Sequence, residues 1–290
     1  MRHVAGIVPV ANIKTDHNLK TPEYLLPIAA DYTAVQKSVF ECAMAGCNTI
    51  WVVGNQDTAP VLKKVIGEWI YDPIYYGNYF RGKNYSEYRK DIPIYYTGIR
   101  DKDRDRRDSY GWSAIHGIHS AWWVAWRISS WVVPEKYFVS FPMGVYDPYT
   151  LKKNRAIIGD RDKNYFSTFG GKTVKDNLPL SFTMRKEDFI NCRRNINKLT
   201  TREFLPPEPG EKIPSKRRPL EDRWSARWFD FDVVFDKTKE KDSLKFELDW
   251  YYDISTWKGY REYLGSDHEI KVPYKGLTKP RMGDRLVFEE

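Results

Sequence analysis

Val4-Ala5-Gly6-Ile7-Val8-Pro9-Val10-Ala11 is an unbroken apolar run of strand length, and Asn48-Thr49-Ile50-Trp51-Val52-Val53-Gly54 is a second, β-branched one. A run of this kind bounded by polar residues is what a parallel strand buried on both faces requires. Between them Thr33 is followed three residues later by Gln36, a capping-box pattern, and Val35, Val39, Cys42 and Ala43 then recur at helical spacing until Gly46. This predicts a helix from about residue 34 to 45, ended by a glycine C-cap. Strand, loop, helix and strand in that order, with a right-handed crossover, open an α/β fold: a doubly wound, mostly parallel sheet flanked by helices. Ligands of such sheets sit at the carboxyl ends of the strands, so the polar stretch Asn12 to Lys20 becomes a ligand-facing loop.

Outward from this unit the alternation continues. Thr58-Ala59-Pro60 reads as a helix start with Val61, Leu62, Val65 and Ile66 on it, and Ile92-Pro93-Ile94-Tyr95-Tyr96 as a strand. The span from Tyr71 to Tyr96 holds eight tyrosines without clear periodicity and reads as an irregular excursion. Ile115, Ile118, Trp122, Ala125 and Ser129 repeat at three and four, predicting a helix that stops before Pro134; the strand Tyr137 to Phe141 follows. Five prolines between Pro206 and Pro219, around Lys216-Arg217-Arg218, mark a linker. Beyond it, Phe229 to Phe235 and Leu244 to Trp250 alternate in period two, the pattern of an antiparallel pair. The expected organisation is an α/β core over 1–200 and a Pro-rich linker over 201–222. A β-rich C-terminal segment over 223–290 then packs back on the core and ends in an extended tail.

The 290 residues are 41% apolar and 30% charged, enough for a core, and no apolar run approaches a membrane span. The N-terminus lacks the pattern of a secretion signal, so a cytoplasmic location is expected. Cys42, Cys47 and Cys192 are odd in number and have no C-x-x-C spacing, which supports neither a disulfide framework nor a zinc ribbon. A net charge of +8 favours phosphates or acidic partners, but no nucleic-acid-binding module accompanies it. The 11 tryptophans and 20 tyrosines suit a core, a stacking site or a protein interface, partly buried core rings being the plainest reading.

Taken in order, several segments resemble the sugar-phosphate nucleotidyltransferases, GT-A-like enzymes that join a nucleoside triphosphate to a sugar phosphate. Pro22-Glu23-Tyr24-Leu25-Leu26-Pro27-Ile28-Ala29 resembles that family's P-K-x-L-L-P-V-x segment, and Ala45-Gly46-Cys47 before Ile50-Trp51-Val52-Val53 its A-G-x-x-x-I-x-V-V passage. Gly111-Trp112-Ser113-Ala114 resembles the G-T-A-x-A turn beside the nucleotide. Leu178 to Phe182 is similar to the G-x-Y-x-F strand, and Trp250 to Thr256 to the W-x-D-I-G-T motif. The chain is also similar to uncharacterised proteins of tailed phages. The family resemblance implies binding of an NTP or nucleotide-sugar, with Ala11, Asn12, Gly111, Trp112 and Ser113 at the nucleotide. It also implies transfer of a nucleotidyl group to a sugar phosphate, Mg²⁺ bridging the phosphates, and Asp253 as a metal ligand.

Departures from the pattern point the other way. The family's G-x-G-T-R loop lets backbone N–H groups approach phosphates, whereas residues 12–20 contain neither glycine nor arginine. Glu23 replaces the expected lysine, and Pro142-Met143-Gly144 stands where a Gly-Asp metal ligand is expected. Lys14 and Lys20 are the substitutes available for phosphate, and Asp147 for the missing carboxylate, although Asp147 in Tyr146-Asp147-Pro148 also suits a plain turn. Arg104, Arg106 and Arg107 lie in a mixed run of charge that reads as a solvated loop. Trp112 suits either a base-stacking or a core-facing role. His116 and His119 read as a packed or exposed pair, and Gly170-Gly171-Lys172-Thr173 as a hairpin-type turn. The alternative function is a catalytically degenerate binding or structural protein that holds a protein partner, or a second copy of itself, through its aromatic surface.

Overall fold

In the computed structural model the residues described are 3–76, 91–100, 103, 107, 109–200, 209–210, 228–241, 243–273 and 278–279. The first part of the chain runs β1 (Val4–Pro9), β2 (Pro27–Ala29), β3 (Tyr32–Thr33), α1 (Ala34–Met44), β4 (Thr49–Gly54), α2 (Ala59–Ile66), β5 (Trp69–Tyr71), α3 (Pro73–Tyr76) and β6 (Asp91–Gly98). Next come α4 (Tyr110–Ile128), β7 (Lys136–Val139), β8 (Gly144–Val145), α5 (Tyr149–Lys153), α6 (Arg155–Ile158), β9 (Tyr165–Thr168), β10 (Phe182–Arg185) and α7 (Lys186–Leu199). The last elements are α8 (Phe231–Phe235), β11 (Leu244–Glu247), β12 (Tyr252–Asp253), α9 (Trp257–Leu264) and β13 (Thr278–Lys279).

The main sheet has the order β11-β9-β10-β7-β1-β4-β6-β5-β13. Its centre, β7-β1-β4-β6, is parallel throughout, while β10 and β5 run against their neighbours. This is the doubly wound, mostly parallel sheet expected from the two apolar runs. Every residue of β1 is buried, and successive residues serve opposite faces. Val4 and Val8 join Val39, Phe40, Leu62 and Ile66 from α1 and α2, whereas Ala5 and Ile7 join Ile115, Ile118, Phe189 and Ile196 from α4 and α7. Helix α1 starts at the predicted capping box, with the Thr33 N–H donating to Gln36 Oε1 at 2.9 Å. Helix α4 lies so close to the sheet that a Cβ at Gly117 would overlap the side chains of Val53 and Ile7.

Differences from expectation concentrate after residue 228. Within the alternating segment Phe229 to Phe235, residues Phe231–Phe235 form the helix α8, and none of the segment is strand. In F-D-F-D-V-V-F the i, i+3, i+4 set Phe231, Val234 and Phe235 is present alongside the period-two set, and packing selects it. Phe231 and Phe235 meet Phe141, and Phe235 also meets Phe182, with ring centroids 4.7–6.3 Å apart. Strand β11 therefore has no antiparallel partner in this segment and pairs parallel with β9 at the sheet edge. Phe229, Phe231, Val234, Phe235, Ile254, Tyr260 and Ile270 share the hydrophobic cluster of Ala5 and Ile7, so the described C-terminal residues complete the same core. The Gly170-Gly171 turn closes as expected, with φ of 58° and 74° and a Phe169–Lys172 bridge. The Pro-rich linker apart from residues 209–210, the tyrosine-rich residues 77–90, and Arg104 and Arg106 lie outside the described residues.

Candidate functional site

Loops at the carboxyl ends of β1 and β7 meet the late aspartate. Residues 141–144 turn back after β7, Gly144 pairs with Asp253 between β8 and β12, and the Ile254 N–H donates to the Met143 carbonyl at 2.8 Å. Asp253 thus reaches the rim of the parallel sheet. It lines a cavity of about 140 Å³ together with Lys14, Tyr110, Met143, Trp228 and Asp230. The Ser255 N–H donates to Asp253 Oδ1 at 2.9 Å, but burial prevails and raises the carboxyl pKa above the ordinary aspartate value. The hydroxyls of Tyr110 and Tyr251 are buried and have no hydrogen-bond partner among the described residues. Burial pushes both phenols well up, so each stays protonated and able to donate. A second, more open cavity of about 480 Å³, lined by Phe169, Lys172, Tyr251, Tyr252, Lys258 and Glu262, also takes Asp253 into its wall.

The loop after β1 does without glycine. Asn12 and Asn18 adopt φ of 59° and 51°, a conformation asparagine tolerates better than most residues because its short amide bonds locally. What the loop binds is the C-terminal helix. Asp16 Oδ1 accepts from the Trp257 N–H at 2.5 Å, a carboxylate at the start of α9, where the helix dipole favours negative charge. The His17 ring stacks on Tyr260 and meets the edge of Trp257, with centroids 5.8 and 5.7 Å apart. From the other side of α9 the hydroxyls of Tyr260 and Tyr263 donate to the carbonyls of Pro27 and Ile28 at 2.8 and 2.7 Å. Asp16 and His17 of this loop are thereby engaged with α9, and the Asp16 N–H donates to the Ser255 carbonyl at 3.4 Å just ahead of that helix.

The residues named from the sequence separate into two sets. Lys14 lines the cavity beside Asp253, with its ammonium 5.6 Å from the Trp228 ring centroid, while Lys20 is exposed and is not among the lining residues. Ser113 Oγ lies 2.9 Å from the Ala11 carbonyl, so two segments expected at a nucleotide are in contact, but with each other. Ala11, Trp112 and Ser113 are buried, and Gly111 is covered by Val234 and Phe231 of α8. Asn12 is half-buried, and its amide nitrogen has no partner among the described residues. Trp112 takes the core-facing role: it is 3% exposed, with the Arg107 guanidinium 4.7 Å from its ring centroid. Asp147 accepts from the Tyr149 N–H at 3.0 Å in the turn that enters α5, and it does not line the cavity.

Sequence reasoning missed Trp228 and Asp230. Trp228 is 41% exposed at the cavity, and its Nε1–H donates to Asp230 Oδ1 at 3.1 Å. The signal was a tryptophan directly before the F-D-F-D run, hidden by reading that run as a strand. His116 and His119 are a packed pair: His116 sits 3.1 Å from the Gly98 carbonyl, and burial with nearby Arg193 lowers the His119 pKa to about 4. Two carboxylates, Asp230 and Asp253, line the cavity, as few as Mg²⁺ takes from a protein when substrate phosphates complete its shell. Among the described residues no three His, Cys, Asp or Glu side chains gather as a metal site, and Asp147, the proposed second carboxylate, lies away from the cavity that Asp253 lines. No helix among the described residues is long and apolar enough to cross a membrane.

Compared by sequence, the chain matches no protein-family model and no curated protein. Its fold is similar to that of a Bacillus anthracis protein assigned as a glucose-1-phosphate thymidylyltransferase and crystallised with sucrose. The TM-score is 0.52 at 9% identity, over 93% of this chain and 98% of the other. It is also similar to a UDP-glucose pyrophosphorylase in complex with UDP-glucose, with a TM-score of 0.50 at 11% identity over 91% and 97%. At these identities the likeness is one of fold alone: a doubly wound, mostly parallel α/β sheet like those of these two proteins.

Proposed function

We propose that this protein binds a nucleotide-sugar, with the sugar in the cavity at Asp253 and the phosphates toward Lys14. The observation that carries the reading is the make-up of that cavity: two carboxylates, Asp230 and Asp253, face one ammonium, Lys14, between the rings of Trp228, Phe229 and Phe231. Carboxylates accept from sugar hydroxyls, the spare hydroxyl of Tyr110 can donate, and apolar walls cover the faces of a pyranose. A triphosphate would meet more negative charge than positive there, with no glycine-rich loop to let backbone N–H groups close on it. At about 140 Å³ the cavity is also below the roughly 300–1,000 Å³ that encloses a whole drug-sized ligand, which suits one moiety of a longer molecule. The fold relative that holds UDP-glucose supports the choice of ligand class.

Calorimetry with UDP-glucose, TDP-glucose, UTP and TTP, with and without Mg²⁺, tests this. Nucleotide-sugars are expected to bind at least about tenfold more tightly than the matching triphosphates, a difference of about 1.4 kcal/mol. Asp253→Asn and Lys14→Ala should each cost about 1–3 kcal/mol of that binding. Silence across the nucleotide-sugars, or tighter triphosphate binding, would overturn the reading. Pyrophosphate release from NTP and sugar 1-phosphate measures turnover separately.

A second reading, a scaffold for a protein partner, draws on the far end of α4, where Trp126, Ile128 and Trp131 are 52%, 73% and 93% exposed. Light scattering of wild type against Trp126→Ser with Trp131→Ser tests its self-association arm.

A further inference from the structure

Lys37 and Glu41, one turn apart on α1, are both fully buried, and their side chains meet at 3.1 Å. Such a pair adds little stability over two well-packed apolar residues, because each charge loses its hydration. What singles it out is where its remaining bonds go. Lys37 Nζ donates to the carbonyl of Phe141 at 3.3 Å and to that of Gly144, and the Ser140 hydroxyl donates to Glu41 Oε2. All these partners belong to 140–144, the turn behind the Asp253 cavity.

The turn needs such a donor for reasons of its own. It contains Pro142, which has no N–H, and it bends so tightly that a Cβ on Gly144 would overlap the Pro179 carbonyl. Its carbonyls at 141 and 144 both accept from Lys37; the one at 141 also accepts from the Gly144 N–H at 3.3 Å, and a buried carbonyl left without its donor is costly. An ammonium with three N–H groups satisfies both carbonyls and Glu41 at once, which neither an apolar side chain nor a helix backbone could do. On the other side the same turn holds the aspartate: Gly144 pairs with Asp253, and Met143 accepts from the Ile254 N–H.

We propose that Lys37, neutralised by Glu41, is a positioning residue that locks the 141–144 turn and through it sets Asp253 at the cavity rim. The lock is read from backbone geometry and needs no ligand, so it stands or falls separately from the nucleotide-sugar reading. Hydrogen exchange compares wild type with Lys37→Met/Glu41→Leu, which removes both charges together and leaves neither unpaired. Amides of 141–146 and 250–256 should exchange at least about tenfold faster, while those of β1 and β4 and the urea midpoint stay near wild type. Should the double variant fail to fold, Glu41→Gln keeps the shape of the pair and is expected to shift the same two segments about threefold.

Unchanged exchange in those segments would overturn the proposal, and so would an equal acceleration everywhere, which would make Lys37 a general core residue. With UDP-glucose as probe, a wild type that binds should lose about tenfold in affinity in the double variant; unaltered affinity would also count against the lock. A wild type that does not bind UDP-glucose would sink the ligand reading and leave the exchange result to decide on Lys37.

Discussion

The two ends of helix α4 are built from the same kinds of residue and live in opposite environments. From Tyr110 to Ile118 every residue is buried, Trp112 among them at 3% exposure: α8 lies against Tyr110 and Gly111 beside the cavity, and Gly117 lies against Val53 and Ile7 of the sheet. Ten to twenty residues on, Trp123, Trp126, Ile128 and Trp131 stand in solvent, with the Arg127 guanidinium 4.6 Å from the Trp123 ring. Aromatic richness therefore has no single meaning in this chain. A tryptophan is a core residue where a second element arrives to cover it and a surface residue where none does, and the helix period alone does not distinguish the two.

The contrast can be broken most directly by truncating one ring at each end. Trp112→Ala is expected to cost about 3–5 kcal/mol in urea unfolding, since it removes a buried ring and leaves a cavity. A cost near zero would mean that the ring is not buried in solution. Between the two ends, Gly117→Val should cost about 1–3 kcal/mol, because the new side chain meets Val53 and Ile7 with no room to turn.

The buried end can be sharpened further through Asp253. Burial holds its carboxyl pKa above the ordinary aspartate value, so the folded protein keeps this proton to a higher pH than the unfolded chain does. Its stabilising contribution is complete below the unfolded value and is lost as the pH rises through the folded one. The stability of Asp253→Asn relative to wild type should accordingly increase with pH across the acidic range and level off above it. Denaturation series from pH 4 to 8 measure this, and a pH-independent difference would contradict the burial. The smallest expected effect is at the exposed end: Trp131→Ser should change stability by no more than about 0.5 kcal/mol, and any larger loss would show the ring is covered in solution.

Legibility followed the range of the interactions that decide each feature. The β1-α1-β4 unit could be read because its evidence is local: an apolar run, a Thr33–Gln36 capping box and a glycine stop specify it within fifty residues. Glycine-free residues 12–20 could be read as a departure from the nucleotidyltransferase pattern, but their partner, α9, lies some 240 positions away along the chain. The segment 229–235 carried strand and helix periods together, and only contact with Phe141 and Phe182 separates them. Lys37 gave no signal at all, since a lysine on a helix is ordinarily a solvated one.

From the linear order of residues alone follow the doubly wound class, the place of the loop after β1 at the carboxyl end of a parallel strand, the core-forming helices and the absence of a Gly-rich phosphate loop. These rest on periodicity and backbone chemistry that act between near neighbours. The convergence of Asp253, Lys14 and Trp228 on one cavity, the burial of Gly111 to Ser113, and the buried cation behind the 141–144 turn belong to the tertiary structure. They bring together residues 25 to 239 positions apart, and which of these meetings form depends on how the whole sheet is covered, a condition that no local pattern encodes.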